Sequence, residues 1–299
     1  MIGPLAALVR ESGKSSMADD TSGPGPWLRR IGHAGPCAPT LATLSALIAA
    51  HAATIPYENI DVLMGRPPKL DLASLQRKMI AGGRGGYCFE QNLLLRAGLL
   101  ALGFTVTSLI ARVIRARAPD APVYATHMVL RVDLPEGPFL ADVGYGALTP
   151  TAPLAVRPNL EQTTPHETMR LVPAGEELTL QAKLGEDWEN IYRLLPQSRL
   201  DTDYEIANWF AATHPSSVFV NNLVAARPGP GGVRNTLFNG RLTVRSPPGQ
   251  VTRRMLERAA EYGQALADTF GLVLSGAELS AALEALDRKG TLGAVHPFF

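Results

Sequence analysis

The fold turns on residues 82–114, GGRGGYCFEQNLLLRAGLLALGFTVTSLIARVI, where one periodicity gives way to another. A glycine-rich bend at 82–86 delivers Cys88 to the start of a helix that runs through NLLLRAGLLAL to Gly103. That helix is apolar on most faces, which predicts burial in a small bundle. From Phe104 the residues are β-branched and aromatic, and a strand is predicted over 104–114. Upstream, Pro39-Thr40 opens LATLSALIAAHA with apolar residues at helical spacing, and Asp71 is placed to cap LASLQRKMIA before Gly82-Gly83. Downstream, strands are predicted at 124–134 and 139–143 around a turn at 135–138, and at 168–172, 177–184 and 188–194. A helix over 200–213 with Asp201 as its cap, strands at 217–225, 233–238 and 241–245, and helices at 251–269 and 277–289 complete the reading. Asn239-Gly240 is a strong hairpin turn between the last two strands. Helices first, then closely spaced strands, then a mixed segment define an α+β protein rather than an alternating nucleotide-binding sheet.

The chain has 299 residues, 46% hydrophobic and 18% charged, with 28 basic and 27 acidic side chains giving a net charge of +1. That balance argues against nucleic acid or a membrane surface as partner. No apolar run reaches the 18 or more residues of a membrane span, and the N-terminus lacks the basic start of a signal peptide. A cytoplasmic setting is the expectation. Two cysteines, Cys37 and Cys88, build neither a disulfide framework nor a zinc site. Residues 1–26 read as a mobile extension in which Met17 is an alternative start.

The densest chemical signal is Arg84-Gly85-Gly86-Tyr87-Cys88-Phe89-Glu90-Gln91-Asn92. A cysteine at a helix N-terminus sits in a partial positive charge that favours thiolate, beside backbone N–H groups able to hold an oxyanion. A buried structural cysteine beside a turn is the plainer alternative. A thiolate nucleophile needs a base. Of six histidines, His33 and His166 fall in polar loops, His214 follows a helix, and His296 is near the C-terminus. His51 lies at a helix end, where a cation is ordinarily favourable. His127 alone lies inside an apolar strand, VYATHMVLRV, and Asp142 is likewise enclosed by Phe139, Leu140, Ala141 and Val143. Each would satisfy the other, as a catalytic or as a purely structural pair. A four-residue turn at 135–138 would pair Arg131 with Asp142. His127 would then share its face but lie about 13 Å along the strand, so a bulge or a shifted register is needed to bring the two together.

These stretches resemble those of the arylamine N-acetyltransferases. The likeness is carried by IPYEN (55–59), GGRGGYCFEQN (82–92), THMVL (126–130), ADVGYG (141–146), NWFAATHPSS (208–217) and, more loosely, NTLFNGRL (235–242). It implies a catalytic Cys88–His127–Asp142 triad on an N-terminal helical bundle (27–103), a central β-barrel (104–199), a connecting helix (200–215) and a C-terminal α/β lid (216–299). It implies acetyl-CoA as donor substrate with no permanently bound cofactor and no metal. Cys88 would be acetylated, and an arylamine, arylhydrazine or hydrazide, foreign amines among them, would take the acetyl group in ping-pong order. Phe89, Thr126 and Tyr145 are candidates for the substrate pocket, and Gly144 and Gly146 for close approach of the CoA arm. Arg84 and Glu58 are candidates for an ion pair that locks the cysteine loop, and Cys37 is a bystander. Cysteine hydrolases and transglutaminase-like enzymes use the same chain order with water or another acceptor, and a binding protein that keeps the fold is the non-catalytic alternative.

Overall fold

The computed structural model describes residues 23–118 and 121–291. Most of the expected N-terminal extension, with Met17, and His296 lie outside the described residues. The first helix, α1 (Gly25–Arg30), begins two residues before the expected start of the bundle. α2 (Leu41–Thr54) is capped by Thr40, whose hydroxyl accepts from Thr43 N at 3.2 Å. β1 (Tyr57–Glu58) and α3 (Ile60–Leu63) follow. α4 (Leu72–Leu75) is capped by Asp71 and widens into π-type turns over Gln76–Ala81 before Gly82. α5 (Cys88–Ala101) is buried along most of its length. Trp27 of α1 lies so close over Gly98 of α5 that a Cβ there would meet the indole at 2.3 Å. Glycine in mid-helix costs helix propensity, and here it admits the packing that seats α1 on the bundle.

Eight antiparallel strands form the central sheet: β2 (Thr105–Val113), β3 (Ala125–Leu134), β4 (Gly137–Ala141), β5 (Leu154–Ala155), β6 (Gln162–Thr163), β7 (Thr168–Ala174), β8 (Glu177–Leu184) and β9 (Asp187–Leu195). Their spatial order is β5-β4-β3-β2-β9-β8-β7-β6. The two edges meet through one side chain. Gln162 accepts from Ala155 N at 2.7 Å and donates to Ala155 O at 3.0 Å, so an amide closes the sheet toward a barrel and satisfies an edge that would otherwise be open. β3 is buried on both faces. Met128, Leu130 and Val132 join the bundle core, while Val129 belongs to the barrel interior with Leu171, Leu180 and Ile191.

After the barrel come α6 (Asp201–Thr213), α7 (Val218–Asn221), β10 (Val224–Pro228), β11 (Arg234–Phe238), β12 (Arg241–Ser246), β13 (Gln250–Met255), α8 (Ala259–Ala265) and α9 (Gly276–Arg288). α8 runs on through Leu266–Phe270 until Gly271, at φ 72°. The second sheet, β1-β10-β11-β12-β13, draws its edge strand from the N-terminal third, with Tyr57 opposite Ala226 and Glu58 opposite Ala225. Three sequence expectations are corrected. The strand over 217–225 is α7 followed by β10. The first part of the helix over 251–269 is β13, whose residues are all exposed and so carry no apolar period to betray a strand. The cap of α6 is Leu200, its N–H held by Asp203 at 3.0 Å, rather than Asp201. No helix among the described residues is long and apolar enough to cross a membrane.

Candidate active site

The loop that presents Cys88 is held from several directions. Gly86 pairs with Tyr57 in an isolated parallel bridge, with Glu58 N donating to Gly86 O at 3.1 Å. A Cβ on Gly85 would fall 2.0 Å from Pro56 O, so the approach requires glycine. The expected Arg84–Glu58 ion pair is present at 2.9 Å, with Glu58 fully buried, and the other Glu58 oxygen accepts from Ile60 N at 2.7 Å. Lys78 lies 2.8 Å from both Asp61 and Glu90, and Glu90 accepts from Tyr87 N at 3.1 Å to cap α5. Beneath the loop runs a buried relay. Trp27 Nε1 donates to His51 Nδ1 at 3.2 Å, which leaves His51 Nε2–H to donate to Gln91 at 2.8 Å. Gln91 in turn donates to Pro56 O at 2.7 Å and Gly86 O at 3.1 Å. His51 is therefore not the helix-end cation its position suggests. Burial pushes its pKa down to about 4, and it is a neutral link.

Asp142 reaches His127 because the β3–β4 turn is tighter than four residues. Leu134 pairs with Gly137, leaving Pro135-Glu136 as the turn, and Gly137 takes φ 122°. The register pairs Leu130 with Ala141, so Asp142 leaves the strand two positions nearer to His127 than the four-residue turn predicts. The parity is unchanged and the remaining gap is about 7 Å of strand, which the departing chain crosses. His127 Nε2 donates to Asp142 Oδ2 at 2.7 Å, which leaves Nδ1 as the ring nitrogen for the hydrogen bond with Cys88. Burial opposes charge on His127, but the Asp142 carboxylate and a hydrogen bond with Cys88 outweigh it and push the imidazole pKa up to about 10. Burial likewise opposes ionisation of Asp142. His127, Asn92 and the Gly144 N–H overcome it and hold the carboxyl below its ordinary range.

β3 carries a bulge where it meets β2. Ala111 pairs with His127 and Arg112 with Ala125, which leaves Thr126 as the extra residue. Its carbonyl accepts from Cys88 Sγ at 3.6 Å. Asn92, one helical turn beyond Cys88, fastens the other side. Its amide donates to Asp142 Oδ1 at 2.9 Å and to Met128 O at 2.8 Å, and its oxygen accepts from Val143 N at 3.1 Å. The i+4 spacing of Asn92 from Cys88 is the sequence signal for this role.

Cys88 and His127 open on a cavity of about 540 Å³ between barrel, α6 and the α7 segment, with Asp142 fully buried behind them. Thr126 and Tyr145 line it as expected, with Tyr145 edge-on to His127 at 5.5 Å. Phe89 does not. It is fully buried between Tyr87 and Tyr204, because the first turn of α5 rotates it away from the Cys88 side. Gly144 lines the cavity, yet its bare Cα serves the protein. A Cβ would meet Asn92 Nδ2 at 2.7 Å and Cys88 Cα at 2.8 Å. Gly146 is absent from the lining; its φ of 88° and its N–H bond to Thr149 mark a turn beneath Tyr57. Tyr57, Phe210 and Phe219 also line the cavity, and no local pattern joins them, since Tyr57 comes from the N-terminal third and the two phenylalanines from α6 and α7.

His33 bonds Pro36 O in its own loop, and Cys37 lies in that loop, half-buried and unpaired. His166 bonds Gly229 O at 3.0 Å beside the buried Glu167–Arg234 pair, clasping barrel to C-terminal sheet. Among the described residues no cluster of three His, Cys, Asp or Glu side chains is placed to hold a metal ion.

A family model described as N-acetyltransferase matches residues 40–279. The arylamine N-acetyltransferase of Escherichia coli (strain K12) is 37% identical over 252 residues, covering 84% of this chain and 89% of that protein. The solved structure of Mycobacterium marinum arylamine N-acetyltransferase is 37% identical and superimposes with a TM-score of 0.84 over 88% of this chain and 99% of that one. The same enzyme in complex with CoA matches with a TM-score of 0.83, at 37% identity over 88% and 98% of the two chains. With a Cys–His–Asp constellation opening on a walled cavity, and with these likenesses along most of its length, the chain belongs to the arylamine N-acetyltransferase family.

Proposed function

We propose that this protein transfers an acetyl group from acetyl-CoA to the nitrogen of arylamines, arylhydrazines or hydrazides through a thioester on Cys88. The observation that carries the reading is the hydrogen bond from His127 to a doubly anchored Asp142, with Cys88 at the start of α5 beside it. The Cys88 thiolate attacks the acetyl carbonyl. The oxyanion that forms is held at the first turn of α5, whose N–H groups have no intrahelical partner. The C–S bond to CoA breaks, and the CoA sulfur leaves with the proton from the His127 imidazolium. The amine nitrogen then attacks the thioester, His127 takes its proton, and Cys88 leaves as thiolate. Asp142 orients the ring and stabilises its charge throughout. Tyr57, Tyr145 and Phe219 give the cavity flat walls suited to an aromatic acceptor. A thiolate nucleophile and two unpaired cysteines fit a reducing, cytoplasmic setting.

Intact-protein mass spectrometry tests the reading. Acetyl-CoA alone should add about 42 Da to Cys88, the mass of an acetyl group on a covalent nucleophile. The adduct should persist without acceptor and disappear on adding an arylamine, and Cys88→Ala should form none. An adduct lost equally fast with and without amine would make the protein a hydrolase.

A further inference from the structure

The outer part of the cavity carries an aromatic group that the triad does not use. Tyr124 is 64% exposed yet lines the cavity. Its ring packs on Phe210 of α6 with centroids 4.4 Å apart, and Phe210 stacks on His214 at 4.5 Å and 21°. The chain just before Tyr124 is held by Arg112, which donates to Val123 O at 2.6 Å. Tyr124 is thus an exposed ring that is backed and anchored.

Its direction follows from the β3 bulge. Residues three apart on a regular strand face opposite sides, and Tyr124 and His127 are three apart. The extra residue at Thr126 reverses that parity and turns both toward one cavity. Because the bulge counts two residues as one, Tyr124, just before β3, lies two strand positions, about 7 Å, beyond His127. An attacking nitrogen lies about 3 Å from its carbonyl carbon. The remaining distance, about 4 Å, is that of one amino-bearing ring, so a second ring attached to it comes onto Tyr124. Tyrosine offers this surface with few torsions to freeze, and a ring laid on it leaves water.

We propose that Tyr124, backed by Phe210, is a distal aromatic subsite that takes the second ring of a biaryl amine. The proposal rests on the amine-acetylating reading above. Its test compares kcat/KM for 4-aminobiphenyl and for aniline, with acetyl-CoA as donor, in the native protein, Tyr124→Ala and Tyr124→Phe. The biphenyl-to-aniline ratio should fall about 2- to 12-fold in Tyr124→Ala, the rate equivalent of about 0.5–1.5 kcal/mol for an aromatic pair. Tyr124→Phe, which keeps the ring, should retain the native ratio. A ratio that does not move in Tyr124→Ala, or that falls as far in Tyr124→Phe, overturns the subsite. Slower acetylation of Cys88 by acetyl-CoA in Tyr124→Ala with an unmoved ratio assigns the ring to the CoA adenine, and also overturns it. If the native protein acetylates neither amine, the amine-acetylating reading itself falls. If it acetylates aniline and the ratio is unmoved, only the subsite falls.

Discussion

Replacing Asn92 with alanine should weaken the triad without touching any of its three members. Asn92 makes three buried hydrogen bonds: to Asp142 Oδ1 at 2.9 Å, to Met128 O at 2.8 Å, and from Val143 N at 3.1 Å. A hydrogen bond to a charged group contributes about 1.5–3 kcal/mol, and a buried N–H left without a partner costs about 1–3 kcal/mol. The sum, about 2.5–6 kcal/mol, lies below the stability of many domains, so the variant should fold at 25 °C. Asp142 Oδ1 keeps its bond from Gly144 N at 2.8 Å, so the carboxylate loses one of its two anchors on that oxygen. We expect acetylation of Cys88 at saturating acetyl-CoA to slow by about 10- to 100-fold, which corresponds to about 1.4–2.7 kcal/mol in the barrier. A second signature follows from charge. Asn92 helps hold the Asp142 carboxyl below its ordinary range, so its loss raises that pKa. The acid limb of the acetylation rate should therefore move to higher pH. Quenched-flow mass spectrometry across pH, with urea unfolding on the same samples, measures both. A variant destabilised by several kcal/mol that still acetylates Cys88 at the native rate and pH profile would reduce Asn92 to a packing residue and refute the reasoning.

His51 predicts an acid limb in stability itself. Its pKa is about 4 in the fold and about 6.5 when unfolded, so the unfolded chain binds more protons between those values. Its contribution is complete above pH 6.5 and is lost as pH falls to 4, a change of about 3 kcal/mol in urea unfolding that His51→Gln should largely abolish. An unaltered slope in that variant would count against the buried neutral link. Gly144→Ala places a methyl 2.7 Å from Asn92 and 2.8 Å from Cys88 Cα; overpacking of this kind costs about 1–3 kcal/mol, so Tm should drop and acetylation with it. Native activity in Gly144→Ala would mean that the helix and loop can separate freely. Glu58→Gln removes the buried partner of Arg84 and should destabilise by about 3–5 kcal/mol in urea unfolding while slowing Cys88 acetylation. A loss under about 1 kcal/mol would class the pair with surface ion pairs.

The sequence by itself determined the things that local chemistry controls. The break in periodicity at Gly103 separates helix from strand, and the structure places that break between Ala101 and Thr105. Asp71 caps its helix as expected, and the run opened at Thr40 is capped by that residue, because a cap is a contact over three residues. Cys88, His127 and Asp142 stood out because each is a chemically costly residue in a setting that leaves it unexplained alone. Tertiary structure decided what depends on long-range register. The tight turn at Pro135-Glu136 and the bulge at Thr126 set which side chains meet, and a shift of one residue in either would reverse every face beyond it. Tyr57, Phe219 and the closing amide of Gln162 gain their roles from partners scores of residues away or across a barrel seam. His51 shows the limit most plainly: the same imidazole is a cation at an exposed helix end and a neutral link once buried between Trp27 and Gln91, and burial is a property of the whole fold.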